Sequence, residues 1–168
     1  LGDVYKRQDV FRLNFSHGSH ADHRARLSTV RALEAETGRP VGVVASNPLH
    51  KGGAIDGPAC DKMTEFIVLC DSFNLPIVLM ADTPGFLVGL QAEHKGVAGK
   101  IMNNIQALAL ATVPKLAIVM RKSYGLGYFA MAGGRAFAAD ASLAWPTAQI
   151  CAMSVEGSVD VAFRKEYE

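Results

Sequence analysis

Short apolar segments alternate with amphipathic helical patterns through most of the chain, and this alternation restricts the possible folds more than any other feature. The apolar segments lie at 41–45, 77–81 and 115–120. Strands that lack polar–apolar alternation are typical of parallel sheets, because such strands are buried on both faces. After Pro58, helical spacing relates Met63, Phe66, Ile67, Cys70 and Phe73. The pattern predicts an α/β fold of strand–helix–strand units with right-handed crossovers.

Further elements are predicted on either side of this block. The pattern favours strands at 10–15, 136–139 and 143–145 and helices at 21–36, 93–112 and 156–166. Loops rich in Gly and Pro separate several of them, and no internal repeat is present. A chain of 168 residues with 49% apolar side chains is long enough for one domain with a buried core.

Charge and hydropathy argue against two classes of function. The formal net charge of +1 provides no electrostatic basis for binding nucleic acid or an anionic membrane. The longest apolar run, at 105–120, is interrupted by Pro114 and Lys115, and no span reaches the ~20 residues of a membrane helix.

The cysteines and histidines predict no metal site. Cys60, Cys70 and Cys151 form no C-x-x-C pair, which argues against a disulfide framework or a zinc site. Buried, reduced thiols at the first two positions are typical of a cytoplasmic protein. His20 and His23 lie one helical turn apart, but no further ligands accompany them.

Two glycine-containing turns are candidates for ligand binding. The first consists of Tyr124, Gly125, Leu126 and Gly127. Backbone N–H groups of such a turn, at the start of a helix, are suited to binding negative charge. The second consists of Asp82, Thr83, Pro84, Gly85 and Phe86. It follows a buried strand, and open α/β sheets bind ligands at the carboxyl ends of their strands. Purely structural roles remain alternatives for both turns.

A dinucleotide-binding module is a second alternative. The spacing of Gly125, Gly127 and Ala130 after a strand weakly matches a dinucleotide-binding fingerprint. That fingerprint also requires an acidic residue about 20 positions further on. Asp140 comes too early to fill this role.

Several ordered motifs in residues 41–168 point to one family. The motifs are Val41-Gly42-Val43-Val44-Ala45, Gly53-Ala54-Ile55-Asp56, Cys70-Asp71-Ser72-Phe73-Asn74-Leu75-Pro76, Asp82-Thr83-Pro84-Gly85-Phe86, Ala111-Thr112-Val113-Pro114-Lys115, Arg121-Lys122-Ser123-Tyr124-Gly125, Ala144-Trp145-Pro146-Thr147 and Glu156-Gly157. They resemble the carboxyltransferase subunit of biotin-dependent acyl-CoA carboxylases of the propionyl- and acetyl-CoA type. The resemblance implies a crotonase-like spiral of βαβ units. It also implies that this segment is the second of two tandem domains, cut short.

The implied reaction transfers a carboxyl group from N1 of carboxybiotin to the α-carbon of an acyl-CoA. In this family biotin is attached to a biotin carboxyl carrier protein, and the subunits form homo-oligomers, usually hexamers. By position, Gly125 and the amides of Leu126 and Gly127 would form the oxyanion hole for the biotin carbonyl. The common family pattern is Tyr-Gly-Gly-Ala, so the side chain of Leu126 is expected to narrow the biotin slot.

The resemblance also implies which residues line the biotin pocket. They are Asp82, Thr83, Pro84, Gly85, Phe86, Tyr124, Phe129 and Met131. No side chain is predicted to act as a base, because carboxybiotin itself is thought to help form the enolate in this family. The acyl-CoA oxyanion hole belongs to the other domain. The chain alone is therefore expected to be a folded fragment without carboxyl-transfer activity.

Residues 9–40 resemble a different family. The segment Asp9-Val10-Phe11-Arg12-Leu13-Asn14-Phe15-Ser16-His17-Gly18 is similar to an early barrel strand of pyruvate kinase. In that family Arg12, Asn14 and Ser16 would help to hold substrate phosphate and a potassium ion. A pyruvate kinase activity is a further alternative, although the rest of that enzyme is absent.

We therefore predict three segments: residues 1–8, which look like the translation of a sequencing adapter, 9–40 and 41–168. The missing initiator Met and the end at Glu168 favour an assembly chimera over a natural fusion. The N-terminal strand and helix would then be foreign to the spiral, and the strand is expected to add to an exposed sheet edge or stay undocked.

Overall fold

A five-stranded parallel sheet organises the described part of the chain. The computed structural model describes residues 40–131 and 139–164, together with positions 28, 31, 32, 35, 36 and 38. The strands are β1 (Gly42–Ala45), β2 (Ile77–Thr83), β3 (Lys115–Tyr124), β4 (Ala141–Ala144) and β5 (Gln149–Cys151). Their order is β1-β2-β3-β4, and β5 pairs with β3 as well. Every pairing is parallel, so the predicted α/β class is confirmed.

Five α-helices accompany this sheet within residues 40–164 of the described part, besides a short 3-10 helix at Lys51–Gly53. They are α1 (Gly57–Ser72), α2 (Leu90–His94), α3 (Val97–Leu110), α4 (Leu126–Ala130) and α5 (Val155–Ala162). α1 begins close to the predicted position because Asp56 caps it, accepting a 3.0 Å hydrogen bond from the amide of Ala59. None of these helices is long and apolar enough to cross a membrane.

The prediction of one helix at 93–112 is wrong. Gly96 has φ 65° and ψ 30°, a left-handed conformation, and separates α2 from α3. Glycine adopts this conformation without the steric penalty of a side chain, so the chain changes direction there. β3 also extends beyond its predicted end. β5, which was not predicted, pairs with the last three residues of β3 and holds them in the sheet.

The remaining predicted elements lie partly outside the described residues. Positions 28, 31, 32, 35 and 36 are helical, in agreement with the helix predicted at 21–36. β4 and α5 correspond to the strand predicted at 143–145 and the helix predicted at 156–166. The strand predicted at 10–15 and positions 136–138 of the strand predicted at 136–139 lie outside the described residues, as do His20, His23, Arg12, Asn14 and Ser16.

The main core lies between the sheet and helices α1 and α3. It consists of Val44, Ile67, Cys70, Ile77, Leu79, Ala81, Leu108, Ala111, Val113, Ala117, Val119 and Met131. Cys60 and Cys70 are fully buried, as predicted. Burial raises the pKa of each thiol to about 11. Both cysteines are therefore protonated and poorly nucleophilic at neutral pH.

Asp71 joins the end of α1 to the loop before β3. Its Oδ1 accepts hydrogen bonds from the amide of Thr112 at 2.6 Å, the hydroxyl of Thr112 at 3.0 Å and the amide of Val113 at 3.2 Å. These bonds, the Thr112 amide first among them, hold the pKa of Asp71 below its ordinary value of 3.8. The ionised carboxylate therefore fixes the position where α3 gives way to β3.

Replacing Asp71 with Ala is expected to lower the free energy of unfolding by about 1–2 kcal/mol at pH 7. Because the folded-state pKa is lowered, the contribution is present above the unfolded-state pKa and is lost as pH falls through the folded-state pKa. Urea unfolding of the parent and Asp71→Ala between pH 2 and pH 7 checks this, with Asp160→Ala as an exposed control. A difference that persists unchanged at the lowest pH would contradict the assignment.

Candidate functional site

Two glycine turns meet at the carboxyl edge of the central strands. Gly85 follows the end of β2, and Gly127 lies in α4 just after the end of β3. A Cβ atom added to Gly127 would lie 2.7 Å from the Cα atom and 3.2 Å from the amide nitrogen of Gly85. The two backbones thus approach more closely than any side chain allows. The structure brings the two turns predicted as candidates into direct contact.

Gly125 shapes the first turn. It has φ 53° and ψ −135°, a conformation open in practice only to glycine, and its amide donates a 2.9 Å hydrogen bond to the carbonyl of Cys151. A Cβ atom at this position would lie 2.9 Å from the carbonyl oxygen of Ala152. The strand β5 therefore anchors the turn from one side while the chain reverses into α4.

The amides of Leu126 and Gly127 remain available as donors. The first hydrogen bond of α4 runs from the amide of Tyr128 to the carbonyl of Gly125, at 3.2 Å. The two preceding amides have no acceptor inside the helix, and no group in residues 40–131 or 139–164 accepts from them. Two adjacent N–H groups at the start of a helix can stabilise an anionic oxygen.

Most polar groups of Thr83 and Gly85 in the second turn form hydrogen bonds within the protein. The hydroxyl of Thr83 accepts from the amide of Gly85 at 3.1 Å and donates to the carbonyl of Gly85 at 3.2 Å. That carbonyl also accepts from the amide of Ile55 at 2.9 Å. The N–H of Gly85 already has a partner inside the turn and is not free to bind a ligand. The role of Gly85 is to let Gly127 approach.

The other members of this turn divide between surface and interior. Pro84 is exposed, whereas Phe86 packs against a small buried cluster of Ile55, Cys60 and Ala130. Asp82 is 4% exposed and forms an ion pair with Arg121. The turn thus contacts the loop and helix around Ile55 and Cys60, the strand β3 at Arg121, and α4 at Ala130.

The strand register is irregular around Asp82. Ala81 pairs with Val119 and Thr83 pairs with Ser123, so three residues of β3 lie opposite Asp82 alone. Such a bulge bends a strand and changes the direction in which its side chains point. The bulged residues of β3, 120–122, lie shortly before Gly125 in the sequence.

Tyr124 and Phe129 lie next to the glycine turns. Tyr124 is 9% exposed, and its hydroxyl donates a short hydrogen bond to Oε1 of Gln149. Burial is the main cause that raises the pKa of Tyr124. Phe129 is half-buried, and its ring centroid lies 5.7 Å from that of Tyr128.

Met131 lies apart from the two glycine turns. It is 2% exposed and packs in the main core. It borders a cavity of about 820 Å³ between β1 and α1, and none of the other predicted pocket residues lines that cavity. That Met131 lines the biotin pocket with them stays a prediction. In the structure α4 ends by directing the chain into the core.

Two features of the site were missed by sequence reasoning. Arg121 and Gln149 each hydrogen-bond a predicted site residue. For Arg121 the available signal was its position directly after the apolar run at 115–120 and four residues before Gly125. Nothing in the sequence marked Gln149. Among the described residues, no group of three His, Cys, Asp or Glu side chains could hold a metal ion.

A family model for the carboxyl transferase domain matches residues 29–168. The chain belongs to this family. Its parallel sheet, with consecutive strands added in one direction, is the crotonase-like α/β arrangement of the carboxyl transferase domain. Strand order in the described sheet shows no reversal, the feature at which dinucleotide-binding sheets place their ligand. The dinucleotide-binding alternative therefore has no support from the topology.

Relatives of this carboxyl transferase domain include subunits of two carboxyl-transferring enzymes. The methylmalonyl-CoA carboxyltransferase 12S subunit of Propionibacterium freudenreichii subsp. shermanii is 42% identical over 164 residues, which is 96% of this chain and 31% of that protein. The biotin-dependent acetyl-/propionyl-coenzyme A carboxylase beta5 subunit of Mycobacterium tuberculosis is 43% identical over 129 residues, 77% of this chain and 23% of that protein. The chain thus spans less than a third of the relatives' length.

A solved structure agrees with these sequence relatives. The transcarboxylase 12S subunit, crystallised as a hexamer with methylmalonyl-coenzyme A and methylmalonic acid bound, superimposes with a TM-score of 0.72 at 47% identity. The match covers 75% of this chain and 24% of that one. The family match begins at residue 29, ahead of the predicted boundary at 41. The three-segment division and the foreign origin of residues 1–40 stay predictions.

Proposed function

We propose that this carboxyl transferase domain provides the biotin side of a site that transfers a carboxyl group between carboxybiotin and an acyl-CoA. The observation that carries the proposal is the pair of amide donors at Leu126 and Gly127, at the carboxyl edge of β3. Glycines at 125 and 127 let the turn pack closely against the backbones of Ala152 and Gly85, which fixes the position of these donors. The acyl-CoA side belongs to parts of the protein outside this segment.

The chemistry of the transfer requires such donors. When the carboxyl group leaves N1 of carboxybiotin, the electron pair of the broken C–N bond spreads onto the ureido oxygen of biotin. Two N–H groups directed at that oxygen stabilise the negative charge as it develops, and their fixed positions avoid a reorganisation cost. The α-carbon of the acyl-CoA would give its proton to the biotin that has lost the carboxyl group, and the new C–C bond would form at that carbon.

The relatives support the class of substrate and partner. One acts on methylmalonyl-CoA, and another is a biotin-dependent carboxylase for acetyl- and propionyl-CoA. We infer that this domain acts on an acyl-CoA of that kind and meets biotin on a carrier protein. A homo-oligomer is part of the proposal, since the transcarboxylase 12S subunit assembles as a hexamer.

Leu126 provides the sharpest test, because it occupies the first position of α4. Proline is tolerated there without loss of an intrahelical hydrogen bond, yet it removes the N–H donor. We expect Leu126→Pro to weaken the binding of biotinamide, which lacks the biotin carboxylate, about tenfold. Leu126, which is 45% exposed, loses most of its side chain in Leu126→Ala but keeps its amide. We expect this variant to bind biotinamide at least as tightly as the parent.

Binding to all three proteins is measured by following the ¹⁵N–¹H signal of Gly127 during a biotinamide titration, with the amide of Gly99 as an internal reference. In the parent the signal of Leu126 is followed as well. Gly99 lies in α3 and contacts no neighbouring side chain closely. Equal affinities for Leu126→Pro and Leu126→Ala, with both variants folded, would overturn the assignment of these amides to biotin. Absence of any shift in the parent would overturn the proposed function itself.

A further inference from the structure

The guanidinium of Arg121 is paired with Asp82 through Nε, and the side chain is exposed. Its Nε lies 3.1 Å and 3.2 Å from the two carboxylate oxygens of Asp82. The side chain of Asp82 is 6% exposed, whereas that of Arg121 is 57% exposed. The outer nitrogens Nη1 and Nη2 form no hydrogen bond with residues 40–131 or 139–164. A guanidinium fixed through Nε presents those two nitrogens as a preformed fork.

The strand bulge explains why the arginine sits there. Arg121 is the middle of the three β3 residues that lie opposite Asp82. In a regular strand Arg121 would lie on the same face as the buried residues Ala117 and Val119, and its side chain would point into the core. The bulge moves it out of that series, and Asp82 then sets its orientation. Bulges beside active sites serve this purpose elsewhere.

Arg121 also lies close to the glycine turn. The charges of Arg121, Asp82 and Glu156 all act on the phenol of Tyr124. Arg121 is the positively charged member of this group of side chains. The buried carboxylate of Asp82 pairs with its Nε rather than with Nη1 or Nη2. Arg121 lies in the last four residues of β3, the strand that leads directly into Gly125 and the amides of Leu126 and Gly127.

We propose that Arg121 binds the carboxylate of the group being transferred, with Nη1 and Nη2 as donors. This inference rests on the proposed function. The group in transit is a carboxylate on carboxybiotin before the transfer and on the malonyl-type product afterwards. The planar fork of a guanidinium matches a carboxylate with two parallel hydrogen bonds, which the ammonium group of lysine does not reproduce.

The probe is methylmalonate, a small dicarboxylate related to the product, and propionate serves as the comparator with a single carboxylate. Titration of the full 168-residue chain at constant ionic strength follows the ¹⁵N–¹H signal of Arg121 Nε directly. We expect that signal to shift with methylmalonate. We expect Arg121→Met to raise the dissociation constant at least tenfold and Arg121→Lys at least threefold. Lys122→Met removes the same charge one residue away and is expected to stay within twofold of the parent.

The outcomes separate the two proposals. If Arg121→Met binds methylmalonate within twofold of the parent, or Lys122→Met weakens binding as much, Arg121 is a structural partner of Asp82 only and the inference fails. Should Arg121→Met not fold, Arg121→Lys and the Nε signal of the parent decide in the same way. Biotinamide shifts at Leu126 and Gly127 in the parent test the proposed function independently of Arg121.

Discussion

Replacing Gly127 with Val is expected to lower the free energy of unfolding by about 3 kcal/mol and to abolish biotinamide binding. A Cβ atom at this position would lie 2.7 Å from the backbone of Gly85 and 3.3 Å from Cγ2 of Thr83. Backbone atoms cannot rotate away as a flexible side chain can, so the two turns must separate. The N–H group of Gly127 then moves with α4, away from the position in which it donates.

The matched control for this variant is Gly99→Ala. Gly99 lies inside α3, and a Cβ atom there would meet nothing within 4 Å. Alanine at such a position is expected to raise stability by about 0.5–1 kcal/mol, because glycine is a poor helix former. Urea unfolding and biotinamide titration are measured on both variants. A stable Gly127→Val protein that still binds biotinamide would show that the close approach of the turns is unimportant.

Replacing Gly125 with Ala is expected to cost about 2–3 kcal/mol and to weaken biotinamide binding at least tenfold. The φ and ψ values of 53° and −135° are sterically closed to alanine, and the new methyl group would lie 2.9 Å from the carbonyl oxygen of Ala152. Relief of this strain requires the turn to change shape. The amides of Leu126 and Gly127 follow the turn directly, so their direction changes as well.

Gly52→Ala distinguishes the effect on binding from the general cost of a left-handed residue. Gly52 has φ 63° and ψ 17°, and a Cβ atom there would meet nothing within 4 Å. We expect a cost of about 1 kcal/mol and unchanged biotinamide binding. Unfolding curves measure the first quantity, and titration of the Gly127 amide signal measures the second. If Gly125→Ala and Gly52→Ala behave alike in both, Gly125 has no special role in presenting the amides.

The central strands and α1 were predictable because their signals are local. A run of apolar residues and a helical stripe depend only on neighbours in the sequence, and β2 and α1 appear where those patterns placed them. The distal part of β3 shows the limit of such signals. Arg121, Lys122 and Ser123 interrupt the apolar run, and this stretch stays in the sheet because β5 pairs with it. That pairing joins residues more than 20 positions apart in the sequence, which no local pattern encodes.

The candidate site divides in the same way. The sequence by itself determined the family motifs, the parallel α/β class and the positions of the two glycine turns, because each depends on residue type and on spacing over a few residues. Only the tertiary structure decided that Gly127 rests against Gly85, that Met131 belongs to the core, and that Arg121 pairs with Asp82. These relations depend on how β2 and β3 align, and a bulge in one strand changes that alignment without leaving a local pattern.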